Sequence, residues 1–209
     1  MTKLLYGLLL LPSLLWAAPT DALLTHLQNL KTLSGQFDQT VLDASGSHLQ
    51  EAHGHFQVAR GNRFYWHTED PFEQLAVSNG SKVWVYDVDL EQVVVRPLSP
   101  DLSKTPALLF GGQPQAVAKA FNVTERDHNG QEVTYRLTPK GDDPLFEQLD
   151  VTFKGDQPLS MRLQDALGQQ TVIDFTDATV NGKLDESLFD FQPPEGTDVI
   201  QQQPQTTSD

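Results

Sequence analysis

The chain has 209 residues, with 28 acidic side chains against 14 lysines and arginines, a formal charge of −14, and no cysteine. That charge argues against nucleic acid or an anionic membrane as the resting partner, and the acidic surface is read mainly as a solubilising one. Without cysteine no disulfide braces the fold and no lipid can be attached at an N-terminal cysteine, so stability must come from a core.

The first element is a secretion signal. Lys3 precedes a nearly unbroken apolar run from Leu4 to Leu15, followed by Ala17 and Ala18. The run is about a dozen residues, short of the roughly 18–20 that cross a bilayer. Cleavage is placed after Ala17, because cleavage after Ala18 would leave Pro19 at the new N-terminus. Residues 1–17 are thus read as a signal peptide, 18–200 as one domain, and the polar stretch 201–209 as a disordered tail.

From Thr20 to Leu33 leucines at 23, 24, 27, 30 and 33 recur at helical spacing, and Ser34-Gly35 supplies the stop. The period then changes to two. In 53–60 Phe56 and Val58 share one face while His53, His55 and Gln57 take the other. In 63–68 Phe64 and Trp66 oppose Arg63, Tyr65 and His67. Strand 82–87 is apolar on both faces, Val83 and Val85 against Trp84 and Tyr86, which predicts cover on both sides. Later sets alternate in the same way: Val133, Tyr135, Leu137; Leu149, Val151, Phe153; Leu159, Met161, Leu163; Thr171, Ile173, Phe175. Asn79-Gly80 and Asn129-Gly130 are the strongest hairpin turns between them, so the strands form an antiparallel meander.

Between Pro97 and Phe121 the alternation fails. Two short helices are predicted there, Thr105 to Phe110 and Pro114 to Phe121, hinged at Gly111-Gly112. Near the C-terminus Leu188, Phe189 and Phe191 are read as a short packed turn.

Nine to eleven one-sided strands present more apolar area than three short helices can cover on a flat sheet. The fold class is therefore mainly β with a helical lid (α+β): a curled antiparallel sheet, closed into a barrel or left as a half barrel plugged by its helices. Periodicity does not distinguish a dry core from a ligand cavity, because both use the same residues. Arg60 bears on the choice. Strict alternation places it on the face of Phe56 and Val58, where an unpaired guanidinium is costly. Free carbonyls at the end of a plugging helix would suit its five donors and make Arg60 a latch. The residues alone equally allow the strand to end early, with Arg60 in solvent.

At these positions the chain resembles the periplasmic lipoprotein carrier family, LolA. The resemblance rests on Arg60-Gly61-Asn62-Arg63-Phe64-Tyr65-Trp66, on Asp70-Pro71, on Asn79-Gly80 and on Trp84-Val85-Tyr86. It extends more weakly from "LSGQFDQTV" through "TPALLF" to "FDFQPPEG". Gly61 departs from the pattern, where the family usually has proline, and so loosens the backbone after Arg60.

The resemblance implies an open half barrel of about eleven strands covered by three short helices, which shields the acyl chains of lipoproteins crossing the periplasm. It further implies no catalysis and no cofactor. Cargo would come from an ATP-driven inner-membrane ABC transporter (LolCDE-like) and leave for an outer-membrane receptor lipoprotein (LolB-like), with the carrier a monomer. Arg60 matches the arginine that bonds lid backbone and keeps the empty cavity shut, and Phe64 a position near the mouth that affects handover. Trp66, Trp84, Leu108, Leu109 and Phe110 are assigned to the lining.

Rival readings fit the same residues less well. His53 and His55 share a strand face and His48 and His67 lie near in sequence, but with Gly54 and polar neighbours they are read as solvent-facing, and no metal site is expected. "DVDLE" (87–91) lacks the glycine and glutamate spacing of a calcium loop. No Gly-x-Ser-x-Gly elbow supports an esterase. A LolB-like receptor or a sensor-type half barrel binding lipoprotein or lipid, and a small-lipid binding protein, are the remaining alternatives. The missing cysteine opposes the first, and the lack of a second domain opposes the sensor.

Overall fold

The computed structural model describes residues 18–98, 108–141 and 144–202. Helix α1 (Pro19–Asn29) leads into β1 (Thr32–Leu42), β2 (His48–Ala59), β3 (Arg63–Asp70), β4 (Gln74–Asn79), β5 (Lys82–Asp87) and β6 (Gln92–Pro97). Helices α2 (Leu108–Gly111) and α3 (Pro114–Ala120) follow. Strands β7 (Phe121–Asn129), β8 (Glu132–Pro139), β9 (Gln148–Lys154), β10 (Gln157–Gln164) and β11 (Gln170–Val180) come next. A 3₁₀ turn at Glu186–Phe189 and β12 (Asp198–Gln201) complete the described chain. The predicted signal peptide lies outside the described residues, as do Thr105–Ala107 of the second predicted helix.

All twelve strands belong to one sheet, in the order β12-β6-β5-β4-β3-β2-β1-β11-β10-β9-β8-β7. Two antiparallel meanders are joined where β1 pairs with β11, and the outermost strands, β7 and β12, do not pair with each other, so the sheet is open. The twelfth strand was not foreseen. Asp198–Gln201 runs parallel to β6, with Val199 opposite Val93 and Ile200 opposite Val94, and draws Gln201 out of the predicted tail. Residues 203–209 lie outside the described residues.

The first helix ends four residues before the leucine spacing suggests. Leu30 is extended (φ −86°, ψ 105°), and Lys31 and Thr32 donate backbone N–H bonds to Asn181 Oδ1 at 2.7 and 3.4 Å. Strand pairing with β11 outcompetes another helical turn. Leu30 and Leu33 still bury their side chains, so the apolar stripe continues while the backbone changes state. On β10 the alternation is likewise interrupted by a register shift between Pro158 and Ser160, which buries Pro158 and leaves Leu159 half-buried.

Cross-strand register separates the two faces of the sheet. Phe64 stands between Val58 and Ser78, with Val83 next in the row, and Trp66 between Phe56 and Ala76, with Val85 next. This inner face joins Leu23 and Leu27 of α1, Leu108, Leu109 and Phe110 of α2, and Val117 of α3 in one buried cluster. The row Tyr65, Val77, Trp84, Val95 lies on the outer face, covered by the C-terminal segment. There Phe191 stands 6.4 Å from Trp84 and 6.0 Å from Tyr86, ring centre to ring centre, and buried Phe189 lies 5.2 Å under the Arg63 guanidinium. Strand β5 is thus covered on both sides, as its composition predicted.

Candidate functional site beneath the covering helices

Beneath α2 lies a cavity of about 250 Å³ lined by Val58, Trp66, Phe110, Leu149, Met161 and Ile173, with Gln39 and Thr171 also on its wall. Trp66 is on β3 and Leu149 on β9, five strand spacings apart in the sheet order. On a flat sheet they would be roughly 24 Å apart, at about 4.8 Å per strand. That both line one small cavity shows how strongly the sheet curls. Phe110 enters this hollow from the lid, with its ring centre 5.8 Å from that of Phe175 and 6.4 Å from that of Phe153, edge-on to both. Phe37 and Phe56 stack against Trp66 at 4.3 and 5.3 Å and continue the aromatic wall.

Arg60 sits just past the end of β2, its N–H bonded to the Lys31 carbonyl at 3.1 Å. Its guanidinium reaches two helix ends at once. Nη1 donates to the Gly112 carbonyl at 2.8 Å, after α2, and Nη2 donates to the Leu27 carbonyl in the last turn of α1. Both acceptors are of the kind a helix end leaves unsatisfied. The Leu27 carbonyl is free because Lys31, which would bond it in a longer helix, donates to Asn181 instead. Burial lowers the pKa of Arg60. The charged form is retained because its donors meet carbonyl oxygens, and no buried side-chain nitrogen or oxygen lacks a partner among the described residues.

A second tie runs parallel to the first: Asn62 N–H donates to the Gly111 carbonyl at 3.0 Å. Gly111 allows the lid to approach this closely, since a Cβ there would lie 3.0 Å from both the Ala59 carbonyl oxygen and a methyl of Val58. Gly61 is in the left-handed region at φ +87°, and Asn62 follows at φ 62°. Proline cannot adopt that conformation. The residue at 61 therefore does more than loosen the backbone: it sets a turn that aims Arg60 and Asn62 at the lid together.

The sequence-predicted residues divide clearly. Arg60, Phe64, Trp66, Leu108, Leu109 and Phe110 gather on the lid side, of which Trp66 and Phe110 line the cavity while Phe64, Leu108 and Leu109 are buried in the packing around it. Trp84 does not join them. It faces outward against Phe191, because β5 is apolar on both faces and alternation with Val83 and Val85 assigns the tryptophan to the other side. Phe37, Phe153 and Phe175 were not singled out, although Phe153 and Phe175 stand in alternating sets that mark them as inward-facing. The carbonyls of Leu27 and Gly112 left no side-chain signal at all.

An unclosed, curled sheet, antiparallel but for its β12 edge, with an apolar hollow stoppered by its own helices defines the class of lidded half barrels. The sequence profile described as "Outer membrane lipoprotein carrier protein LolA" matches residues 28–192. The chain belongs to this LolA family. It is 68% identical over 208 residues to the outer-membrane lipoprotein carrier protein of Alcanivorax borkumensis, covering 97% of this chain and 100% of that one. The protein of the same name from Chromohalobacter salexigens is 43% identical over 182 residues, 87% of this chain and 86% of the relative. An uncharacterized conserved protein from Thermus thermophilus shares the fold, with a TM-score of 0.56 at 14% identity over 87% of this chain and 98% of its own.

Proposed function

We propose that this protein carries lipoproteins through the periplasm, holding their acyl chains beneath the lid and surrendering them to an acceptor. Residues 1–17 direct export and are removed, and residues 18–200 act as a single domain and a monomer. Cargo arrives from a LolCDE-like ABC transporter of the inner membrane and leaves for a LolB-like receptor lipoprotein. The protein performs no chemistry on its cargo and is not an enzyme.

The observation that carries this reading is the Arg60 guanidinium bridging the Leu27 and Gly112 carbonyls, with Phe110 lodged in the hollow behind it. A long acyl chain releases on the order of 10 kcal/mol on burial, at about 0.8 kcal/mol per CH₂, too much for a carrier that must let go. Leu108, Leu109 and Phe110 are all nearly inaccessible in the closed lid. Drawing them out costs about 1.5–3 kcal/mol each, a sum comparable to one chain. The lid thus competes with cargo for the same surface, and Arg60 adjusts that competition. The cavity of about 250 Å³ falls below the ~300–1,000 Å³ typical of ligand pockets, so cargo enters only when the lid lifts. Phe64, covered at the latched end, then becomes accessible and serves handover.

The test is release of a lipoprotein from inner-membrane vesicles that contain the transporter and ATP. A soluble complex of carrier with acylated lipoprotein supports the proposal. Release that does not depend on acylation, or soluble complexes with free fatty acids only, overturns it.

A further inference from the structure

Each of the chain's six histidines has a ring nitrogen within 3.4 Å of a carboxylate oxygen. At one place the sheet gathers more than a pair. β2 and β3 set His55 directly opposite His67 on the outer face, and Glu69, two residues further along β3, projects the same way. One ligand atom from each of these three side chains lies within 4.8 Å of the other two. His55 Nδ1 is 3.0 Å from Glu69 Oε1, and the imidazole rings meet edge to face with centres 5.0 Å apart.

We propose that His55, His67 and Glu69 form a binding site for a first-row divalent cation, with Zn²⁺ the natural occupant. Two imidazoles and a carboxylate are the donor set such ions accept, with a fourth position left to water, whereas Ca²⁺ and Mg²⁺ require oxygen donors. Bonds of about 2.0–2.2 Å put ligand atoms on a tetrahedral ion roughly 3.4 Å apart. The His55–Glu69 edge already has nearly that spacing, and the remaining contraction falls to partly exposed side chains free to adjust, with 39%, 19% and 49% of their side-chain surface accessible at His55, His67 and Glu69. His55 and His67 are cross-strand partners, which fixes their relative Cβ positions, and Glu69 stands at the register shift two residues on, held by its contact with His55. Glu73 Oε1 lies 2.9 Å from His67 Nε2 and supplies the outer carboxylate that orients a ligating imidazole. The sequence groups these histidines with His48 and His53 and reads them as solvent-facing, because the register that sets 55 against 67 is invisible without the sheet.

The site backs the cavity wall. Phe56 and Trp66, neighbours in sequence of His55 and His67, form the cross-strand pair on the opposite face. An ion here clamps from outside the two strands whose inner face meets cargo.

Titration of untagged, chelator-treated protein with ZnCl₂ by calorimetry tests the proposal. One equivalent is expected to bind, with affinity reduced at least about 10-fold in His55→Gln and in His67→Gln and about 10- to 100-fold in Glu73→Gln. His128→Gln, whose imidazole stands apart from the three ligands and pairs with Glu125, is expected to bind as wild type. In the unmutated protein, nitrogen NMR shifts of the His55 and His67 rings should move together at one equivalent, which decides the matter even if a variant fails to fold. Absence of saturable one-equivalent binding, or ring shifts confined to other histidines, overturns the site.

Discussion

Arg60 Nη1 donates to the Gly112 carbonyl at 2.8 Å, and this bond joins the turn after β2 to the turn after α2. A charged donor on a neutral carbonyl contributes about 1.5–3 kcal/mol. Replacing Arg60 by leucine removes that bond and its companion to Leu27 while leaving the sheet register untouched. Backbone amides of residues 108–117 should then exchange about 10- to 100-fold faster in deuterium exchange, with strands β1, β2 and β11 unchanged.

Phe110→Ala should separate stability from binding. Loss of a buried phenylalanine costs about 3–5 kcal/mol, read as a lowered urea midpoint. The hollow enlarges at the same time, so an apolar fluorescent probe should bind more tightly than to wild type. Weaker probe binding would place Phe110 outside the competition between lid and cargo.

Gly61→Pro restores the residue expected from the family pattern but meets φ +87°, outside the range proline allows. The substitution should destabilise by about 1–3 kcal/mol and speed exchange of the Asn62 amide, which is bonded to Gly111. A rise in melting temperature would show that the turn readily takes another conformation.

Asp150, on the outer face of the C-terminal half, is 4% exposed and holds Arg136 at 2.7 and 2.8 Å and Arg126 at 2.6 Å. Burial alone would raise its pKa, but the two guanidiniums together hold it below the ordinary carboxylate value. Its folded-state pKa is therefore depressed. The stabilisation it gives is full above the unfolded pKa near about 4 and disappears as pH falls through the folded value. Asp150→Asn should cost about 1–3 kcal/mol at pH 7, and the difference from wild type should shrink in urea melts as the medium is acidified through that range.

Period-two alternation carried most of the sheet in advance, because a half-buried strand writes its inner face into every second residue. Phe56, Val58, Phe64 and Trp66 were legible for that reason. Trp84 was not, since a strand apolar on both faces gives no sign of which side meets the cavity. β12 was hidden because its four residues carry only two apolar side chains, Val199 and Ile200, both exposed, and contribute mainly backbone bonding to β6. The Arg60 contacts were half legible: an arginine at the end of an apolar face needs acceptors, but carbonyls leave no mark in a sequence. Only the early end of α1, imposed by Asn181 some 150 residues away, shows why the Leu27 carbonyl was free to receive it.

Native mass spectrometry of protein recovered gently from its own periplasm would show whether acylated cargo occupies the hollow. A bound triacylated polypeptide is expected, at higher occupancy in Arg60→Leu than in wild type if Arg60 holds the helices that exclude it. Equal occupancy in the two proteins, or an interior holding nothing acylated in either, would contradict that expectation.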